Sequence, residues 1–287
     1  MNPFELTGFS FLGFYLLAGI AVNLGLRAWL RHSETADAPP RQNFTDPYLI
    51  AHLRGGENEA LRVATVALLD RGLLKSDGGT LSTKNGEAAG LVQRPIEKAI
   101  LKRYLTPGEA HEVFKDSAAK SACESYQKVL TDQRMIADGS VYAKRFLPVA
   151  VALGVLVAIT ATKINIAFSQ GRHNVGFLIF LTIVFGIALL WAWRKRRTGL
   201  GEAMLRDLRS LFSRLKSRGK SLRGGGQTNE AALLAAVYGL SALPAASFPF
   251  MEKLYPAKAS AGSSCGASSC SSGSSCGGGC GGGGCGG

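Results

Sequence analysis

The sequence predicts a mainly α-helical membrane protein. It should have about three transmembrane helices, a cytoplasmic winged-helix-like α+β tandem between the first two, and a disordered C-terminal tail. Of the 287 residues 46% are hydrophobic, and they are bunched into long uncharged runs rather than spread evenly, as in a chain that meets lipid. Between the runs, Pro, Gly and Asp fall where helices and turns start and stop. From residue 260 onward the chain is almost wholly Ser, Ala, Gly and Cys, a composition that buries too little apolar surface to offset the entropy of ordering it.

The N-terminal anchor, residues 1–30, holds the first run, FSFLGFYLLAGIAVNLGL, from Phe9 to Leu26. It is uncharged and long enough for the hydrocarbon core at about 1.5 Å per residue. A cleaved secretory signal would need a basic start and an A-x-A site; this run has neither and is followed by Arg27, Arg31 and His32, so it reads as a retained helix. The other two runs make a transmembrane hairpin over residues 146–193: FLPVAVALGVLVAITAT, near the lower length limit, and VGFLIFLTIVFGIALLWAW. Arg27, Arg31, Lys144, Arg145 and the run RKRR flank one set of span ends, whereas the loop at 163–174 carries only Lys163 and Arg172. Residues 31–145 and the C-terminal region are therefore expected in the cytoplasm.

Residues 31–45 read as a polar, Pro-containing linker and residues 46–145 as the cytoplasmic domain. In DPYLIAHLRGG, Asp46 is the N-cap, Pro47 the first helical residue, and Gly55 and Gly56 the stop. NEALRVATVALLDRG follows, with Leu61, Ala64, Leu68 and Leu69 on one helical face and Gly72 as C-cap. LLKSDGGTLSTK then reads as a hairpin turning at Asp77 to Gly79, completing a winged-helix-like unit. A second unit is expected to echo the first. RPIEKAILKRY starts a helix at Pro95, with Ile96, Ile100 and Tyr104 on one face, and TPGEAHEVF starts another at Thr106-Pro107. YQKVLTDQRMIADGSVYAK repeats the order of helix, strand, Asp-Gly turn and strand, with Leu130 eight positions before Asp138 as Leu69 is before Asp77.

Winged helices often place a helix in the DNA major groove. From Arg31 to Arg145, however, 17 basic residues face 15 acidic ones, and a net +2 spread over both signs is a poor footprint for phosphate. No nucleic-acid partner is expected, and an unknown protein partner or a structural role fits better.

The opening NPFELTGFSFLGFYLL, the core segments AHLRGG, ALLDRGLL, DGGTLS and RPIEKAIL, the late pair of spans and the Gly/Cys-rich end together resemble an uncharacterised family of bacterial membrane proteins with an N-terminal Asn-Pro-Phe segment. The core is similar, more loosely, to the cytoplasmic part of a second membrane-protein family with Gly-rich tails. The resemblance implies a multi-pass protein of the bacterial inner (cytoplasmic) membrane and brings no activity with it.

Residues 194–226 form a basic amphipathic juxtamembrane segment. From Arg194 to Glu230 there are 11 basic and 3 acidic residues, a net +8. Leu205, Leu208, Leu211, Phe212 and Leu215 share one helical stripe, with Arg206, Arg209, Arg214 and Lys216 on the remaining surface. Together with Arg194, Lys195, Arg196 and Arg197, these residues are expected on the anionic headgroups of the inner leaflet, each contributing on the order of 1 kcal/mol. A helix packed on the cytoplasmic domain would show the same stripe. In the apolar helical segment, residues 227–259, the run Ala231 to Met251 is long enough to span. Pro244 and Pro249 interrupt its second half, so a helix ending near Leu243 and packed on cytoplasmic protein is preferred to a fourth span.

The tail, residues 260–287, holds Cys265, Cys270, Cys276, Cys280 and Cys285, with no C-x2-C pair and no histidine. Several readings stay open. A flexible Gly-rich chain can wrap thiolates around Cu(I) or Zn(II) with little specificity. Gly-neighboured Cys and Ser also resemble substrates of ring-forming tailoring enzymes. A disulfide set needs an oxidising compartment, and a plain flexible end needs no chemistry at all.

No catalytic constellation is legible. His32, His52, His111 and His173 are isolated, and no P-loop, G-x-S-x-G or G-x-G-x-x-G with a strand before it occurs. Glu109 and Glu112 stand too close in sequence to His111 to share its helical face. Asn23 is the only strongly polar residue inside a span, which argues against a transporter. Cys123, in SACES, has no base beside it. The expected function is that of a non-enzymatic scaffold or interaction protein with a cysteine-rich tail that binds soft metal. The alternative is a membrane-held precursor whose tail is enzymatically modified.

Overall fold

The three uncharged runs become three helices long and apolar enough to cross a membrane, within a fold that is mainly helical. The computed structural model describes residues 8–34, 44–169, 176–218 and 229–255. Helix α1 (Gly8–Glu34) runs well past the predicted end at Leu26. Phe11, Tyr15, Gly19 and Asn23 recur every four residues on its buried face, whereas Leu17 and Leu24 are exposed on the other.

The head domain begins as the local chemistry dictates. Asp46 accepts a hydrogen bond from the Tyr48 N–H at 3.0 Å and caps α2 (Pro47–Gly55). Gly56, at φ 87°, separates α2 from α3 (Glu57–Asp70). At the end of α3, Gly72 and Leu73 donate to the Leu69 and Leu68 carbonyls, a Schellman closure that needs the positive φ of Gly72. Strands β1 (Leu74–Asp77) and β2 (Thr80–Thr83) pair antiparallel, and Gly78 and Gly79, at φ 61° and 110°, form the two-residue turn. Helix α4 (Pro95–Arg103) starts at Pro95 as expected. Strand β3 (Gly108–Glu109) then joins β2, giving the sheet order β1-β2-β3, and α5 (Ser117–Asp132) is capped by Asp116.

The second unit departs from its expected form. Thr106-Pro107 leads into β3 rather than a helix, and only a single 3-10 turn, Glu112–Phe114, follows. No hairpin forms around Asp138-Gly139. The Asp138 carboxylate accepts from the Ser140 hydroxyl and the Val141 N–H, so it starts α6 (Gly139–Ser169), and Ile136 bridges to Arg197 instead. The expected tandem is therefore absent. The second span, predicted from Phe146 to Thr162, is the middle of this 31-residue helix.

Helix α7 (Gly176–Trp193) matches its run. The three tryptophans, Trp29, Trp191 and Trp193, all lie at the head end of the spans, where the Trp193 indole donates to the Tyr142 carbonyl at 3.1 Å. Such a belt marks an interfacial level. Phe11, Tyr15, Leu156, Leu178, Phe185 and Leu189 form the core between the spans.

Beyond α7 the chain returns to the head as α8 (Gly199–Leu211), α9 (Ser213–Arg218), α10 (Glu230–Tyr238) and α11 (Phe250–Leu254). Residues expected to form separate juxtamembrane and apolar segments share one core with residues 44–136: Leu200, Leu205 and Leu208 of α8 and Ala231 to Val237 of α10 pack there with Leu53, Leu61 and Leu68. Buried nearly all round, α10 is apolar on every face. Its end at Tyr238 is earlier than the predicted Leu243, because Gly239 at φ 104° breaks it.

Candidate functional site at the junction of spans and head

Where the three spans enter the head, two residues 111 apart in sequence close a clasp. Glu34 ends α1 and Arg145 immediately precedes the apolar stretch of α6. The Arg145 Nε and Nη2 donate to the two Glu34 oxygens at 2.6 and 2.9 Å, a bidentate pair with the arginine side chain only 4% exposed. The guanidinium also donates to the Lys195 carbonyl at 2.5 Å and the Arg197 carbonyl at 3.2 Å. Glu34 Oε2 accepts in addition from the Gly199 N–H at 2.7 Å, at the first residue of α8. One ion pair thus ties the end of α1, the start of α6, the chain after α7 and the start of α8.

Two cavities flank the clasp. The smaller, about 30 Å³, lies between Arg27, Arg31, Lys195 and Glu202. The larger, about 590 Å³, opens between α1 and α6 and is lined by Trp29, Leu30, Arg134, Lys144 and Leu147 among others. At its edge Arg134 has φ 56°, a left-handed conformation that side-chain-bearing residues adopt at a cost of roughly 1 kcal/mol or more. It closes the end of α5 as Gly72 closes α3, the Arg134 and Met135 N–H groups donating to the Thr131 and Leu130 carbonyls, and the Thr198 hydroxyl donates to the Arg134 carbonyl at 2.7 Å.

Inside the span bundle each helix contributes one hydroxyl to a triangle. Tyr15, Thr160 and Thr182 stand 2.9 Å apart pairwise, and each threonine oxygen also lies within hydrogen-bonding distance of a carbonyl of its own helix, Leu156 or Leu178, so the three hydroxyl protons are shared among these acceptors. Asn23 is buried and donates to the Gly19 carbonyl at 3.0 Å.

In the head, ionisable groups are consumed in pairs. Glu97, 3% exposed, accepts from the Tyr48 hydroxyl and from Arg71, both at 2.5 Å. Burial, then the Glu97 carboxylate, pushes the Tyr48 phenol well above its ordinary range. His52, 1% exposed, faces Arg196, whose Nη2 lies 2.8 Å from the imidazole Nε2. A guanidinium only donates, so Nε2 accepts and the ring proton sits on Nδ1. Burial first, and then the Arg196 charge, lower the His52 pKa from 6.5 to about 4. His111 meets the Glu109 carboxylate at 2.9 Å because the segment is a strand and turn rather than a helix, while Glu112 pairs with Arg103. Cys123 is buried, and burial followed by the charge of Glu57 pushes its thiol up to about 12, far from a nucleophile's range.

The predicted membrane-surface residues divide. Arg194, Lys195, Arg206, Arg209, Arg214 and Lys216 are exposed. Arg196 turns inward onto His52 and Gly56, where an added Cβ would fall 1.8 Å from its Nη1, and the Arg197 backbone pairs with Ile136 and Arg145. The apolar stripe behind them is not offered to lipid. Leu205 and Leu208 lie in the head core, and only Leu211, 73% exposed, points outward. Cys265, Cys270, Cys276, Cys280 and Cys285 lie outside the described residues. Among the described residues no three His, Cys, Asp or Glu side chains converge as a metal site would require.

Sequence reasoning used Arg145 only for orientation and missed Glu34 and the hydroxyl triangle. A carboxylate about two turns past a span and an arginine at the threshold of another would have flagged the clasp. Comparison with protein-family models, curated proteins and solved structures finds no match to this chain.

Proposed function

We propose that this protein is a non-enzymatic scaffold of the bacterial inner membrane, with the head in the cytoplasm and held in a fixed pose on three spans. The resemblance to an uncharacterised bacterial family belongs to the same proposal. The observation that carries it is the clasp: a bidentate, nearly buried ion pair with three further backbone hydrogen bonds spends its strength on posture. A presented surface needs such rigidity. In this reading α2, α3 and the β1–β2 hairpin act as a winged-helix-like unit for protein contact. Exposed Arg206, Arg209, Arg214 and Lys216 lean on anionic headgroups by charge alone, and the tail cysteines hold Cu(I) or Zn(II).

Cross-linking in native membranes tests the scaffold. Exposed head lysines such as Lys75, Lys98 and Lys102 should link reproducibly to one other protein, and the Arg145→Met variant should lose those links while staying in the membrane. Links to no other chain, or links indifferent to Arg145, would overturn the reading. Copper and zinc measured per chain on the same material, with and without residues 261–287, read the tail.

A further inference from the structure

We infer that the small cavity beside the clasp, about 30 Å³, receives one oxygen of a lipid phosphate ester, and that Arg27 is the residue that binds it. The inference rests on the reading that α1 and α7 cross a bilayer. Arg27 continues the stripe of Phe11, Tyr15, Gly19 and Asn23, so it stands on the face that α1 turns towards the other helices. Its Nε is sealed from solvent and has no acceptor among the described residues. A buried, charged donor left unanswered is costly and calls for a partner.

The cavity offers a place for one. Its two carboxylates are already matched: Glu34 by Arg145, at 2.6 and 2.9 Å, and by the Gly199 N–H, and Glu202 by Lys195 at 3.4 Å and Arg31 at 3.8 Å. Arg27 lines the same wall and forms an ion pair with neither. The volume is about one water molecule's share of the liquid, so the cavity admits a single oxygen and not a whole headgroup. A water there would answer the N–H and leave the charge, whereas a phosphate oxygen answers both. Depth selects the source. Arg27 follows Leu26, the last residue of the first uncharged run, and Ala192, also in the wall, is the last but one residue of α7, at the level of the tryptophans. Lipid headgroups lie at that level of a bilayer, and an ester held there keeps its acyl chains beside the spans.

Native mass spectrometry of the full chain in a non-ionic detergent, titrated with phosphatidylglycerol, diacylglycerol or glycerol 3-phosphate, reads the site. One phosphatidylglycerol per chain should be retained, diacylglycerol, which lacks the phosphate, should not, and glycerol 3-phosphate should bind more weakly than the lipid. Arg27→Gln should weaken phosphatidylglycerol retention about tenfold. Before lipid is added its melting point should match that of the natural chain, because no described group accepts from the Arg27 Nε. A triple Arg206→Gln, Arg209→Gln, Arg214→Gln variant should retain the lipid like the natural chain. Equal retention of diacylglycerol, retention indifferent to Arg27, an equal loss in the triple variant, or a lower melting point of lipid-free Arg27→Gln would overturn the inference. Glycerol 3-phosphate binding as tightly as phosphatidylglycerol would overturn the lipid as the source of the phosphate. Extraction of the chain from vesicles by alkaline carbonate would overturn the spanning reading itself. A chain that resists extraction and shows no retention dependent on Arg27 overturns the phosphate site alone.

Discussion

At the scale of single residues, His52 makes the head sensitive to acid. The folded head holds the imidazole neutral down to about pH 4, since a proton on Nε2 would replace the hydrogen bond from Arg196 with two cations 2.8 Å apart. The unfolded chain binds that proton from about pH 6.5 downward. A group whose folded pKa is depressed contributes stability that is fully present above the unfolded pKa and is lost as the pH falls towards the folded one. The loss at pH 5 is on the order of 2 kcal/mol. Measured in detergent, the apparent Tm should therefore fall between pH 7.5 and pH 5.0 by about 4–8 °C more in the natural protein than in His52→Gln. The glutamine oxygen can accept from Arg196 and does not titrate. Equal falls in the two proteins would remove His52 from the account.

At the scale of elements, the clasp and the helix contacts set how firmly the spans hold one another. Arg145→Met leaves the Glu34 carboxylate with the Gly199 N–H and strands two carbonyls, so it should cost about 3–5 kcal/mol and lower the apparent Tm sharply. Glu34→Gln keeps an acceptor for the guanidinium and should cost less; a thermal melt ranking the two the other way would refute this account of the clasp. Closer to the bilayer centre, α1 and α7 approach across Gly19, where an added Cβ would lie 2.1 Å from the Phe185 ring. Gly13 and Gly25, on the same helix, would meet nothing within 4 Å. Gly19→Ala should thus loosen the bundle and lower the melting point in detergent, while Gly25→Ala leaves it unchanged. The hydroxyl triangle adds to this cohesion, at roughly 0.6–2 kcal/mol per interhelical hydrogen bond.

At the scale of the whole molecule, what could be read in advance was what neighbouring residues decide. Asp46-Pro47, Gly72 and Asp77-Gly78-Gly79 specify their cap, closure and turn within a few positions, and the structure follows them. Asp138-Gly139 looked like a second turn, but the same pair also caps a helix, and the apolar run that follows makes α6 the stronger outcome. The stripe of α8 is equally suited to lipid and to protein, and only the tertiary fold puts Leu205 and Leu208 against the head. The clasp joins residues 111 apart, beyond any local pattern. That same clasp fixes a topology. Because Arg145 donates to both the Glu34 carboxylate and the Lys195 carbonyl, the end of α1, the start of α6 and the end of α7 lie at one end of the span bundle. Ser169 and Gly176, the far ends of α6 and α7, lie at the other end. Leu254 is packed in the head core, so residue 255 returns to the head side. The proposed orientation, with that side in the cytoplasm, rests on the lysines and arginines concentrated at the head-side ends. Alkaline phosphatase, which folds only outside the cytoplasm, should be active when fused after residue 172 and inactive after residue 255. Green fluorescent protein, which matures inside, should show the reverse. Exchanged signals would mean that the basic residues misassign the sides while the three-span fold stands. Identical signals at the two positions would mean that α7 does not cross, and that the clasp joins helix ends that never share a membrane face.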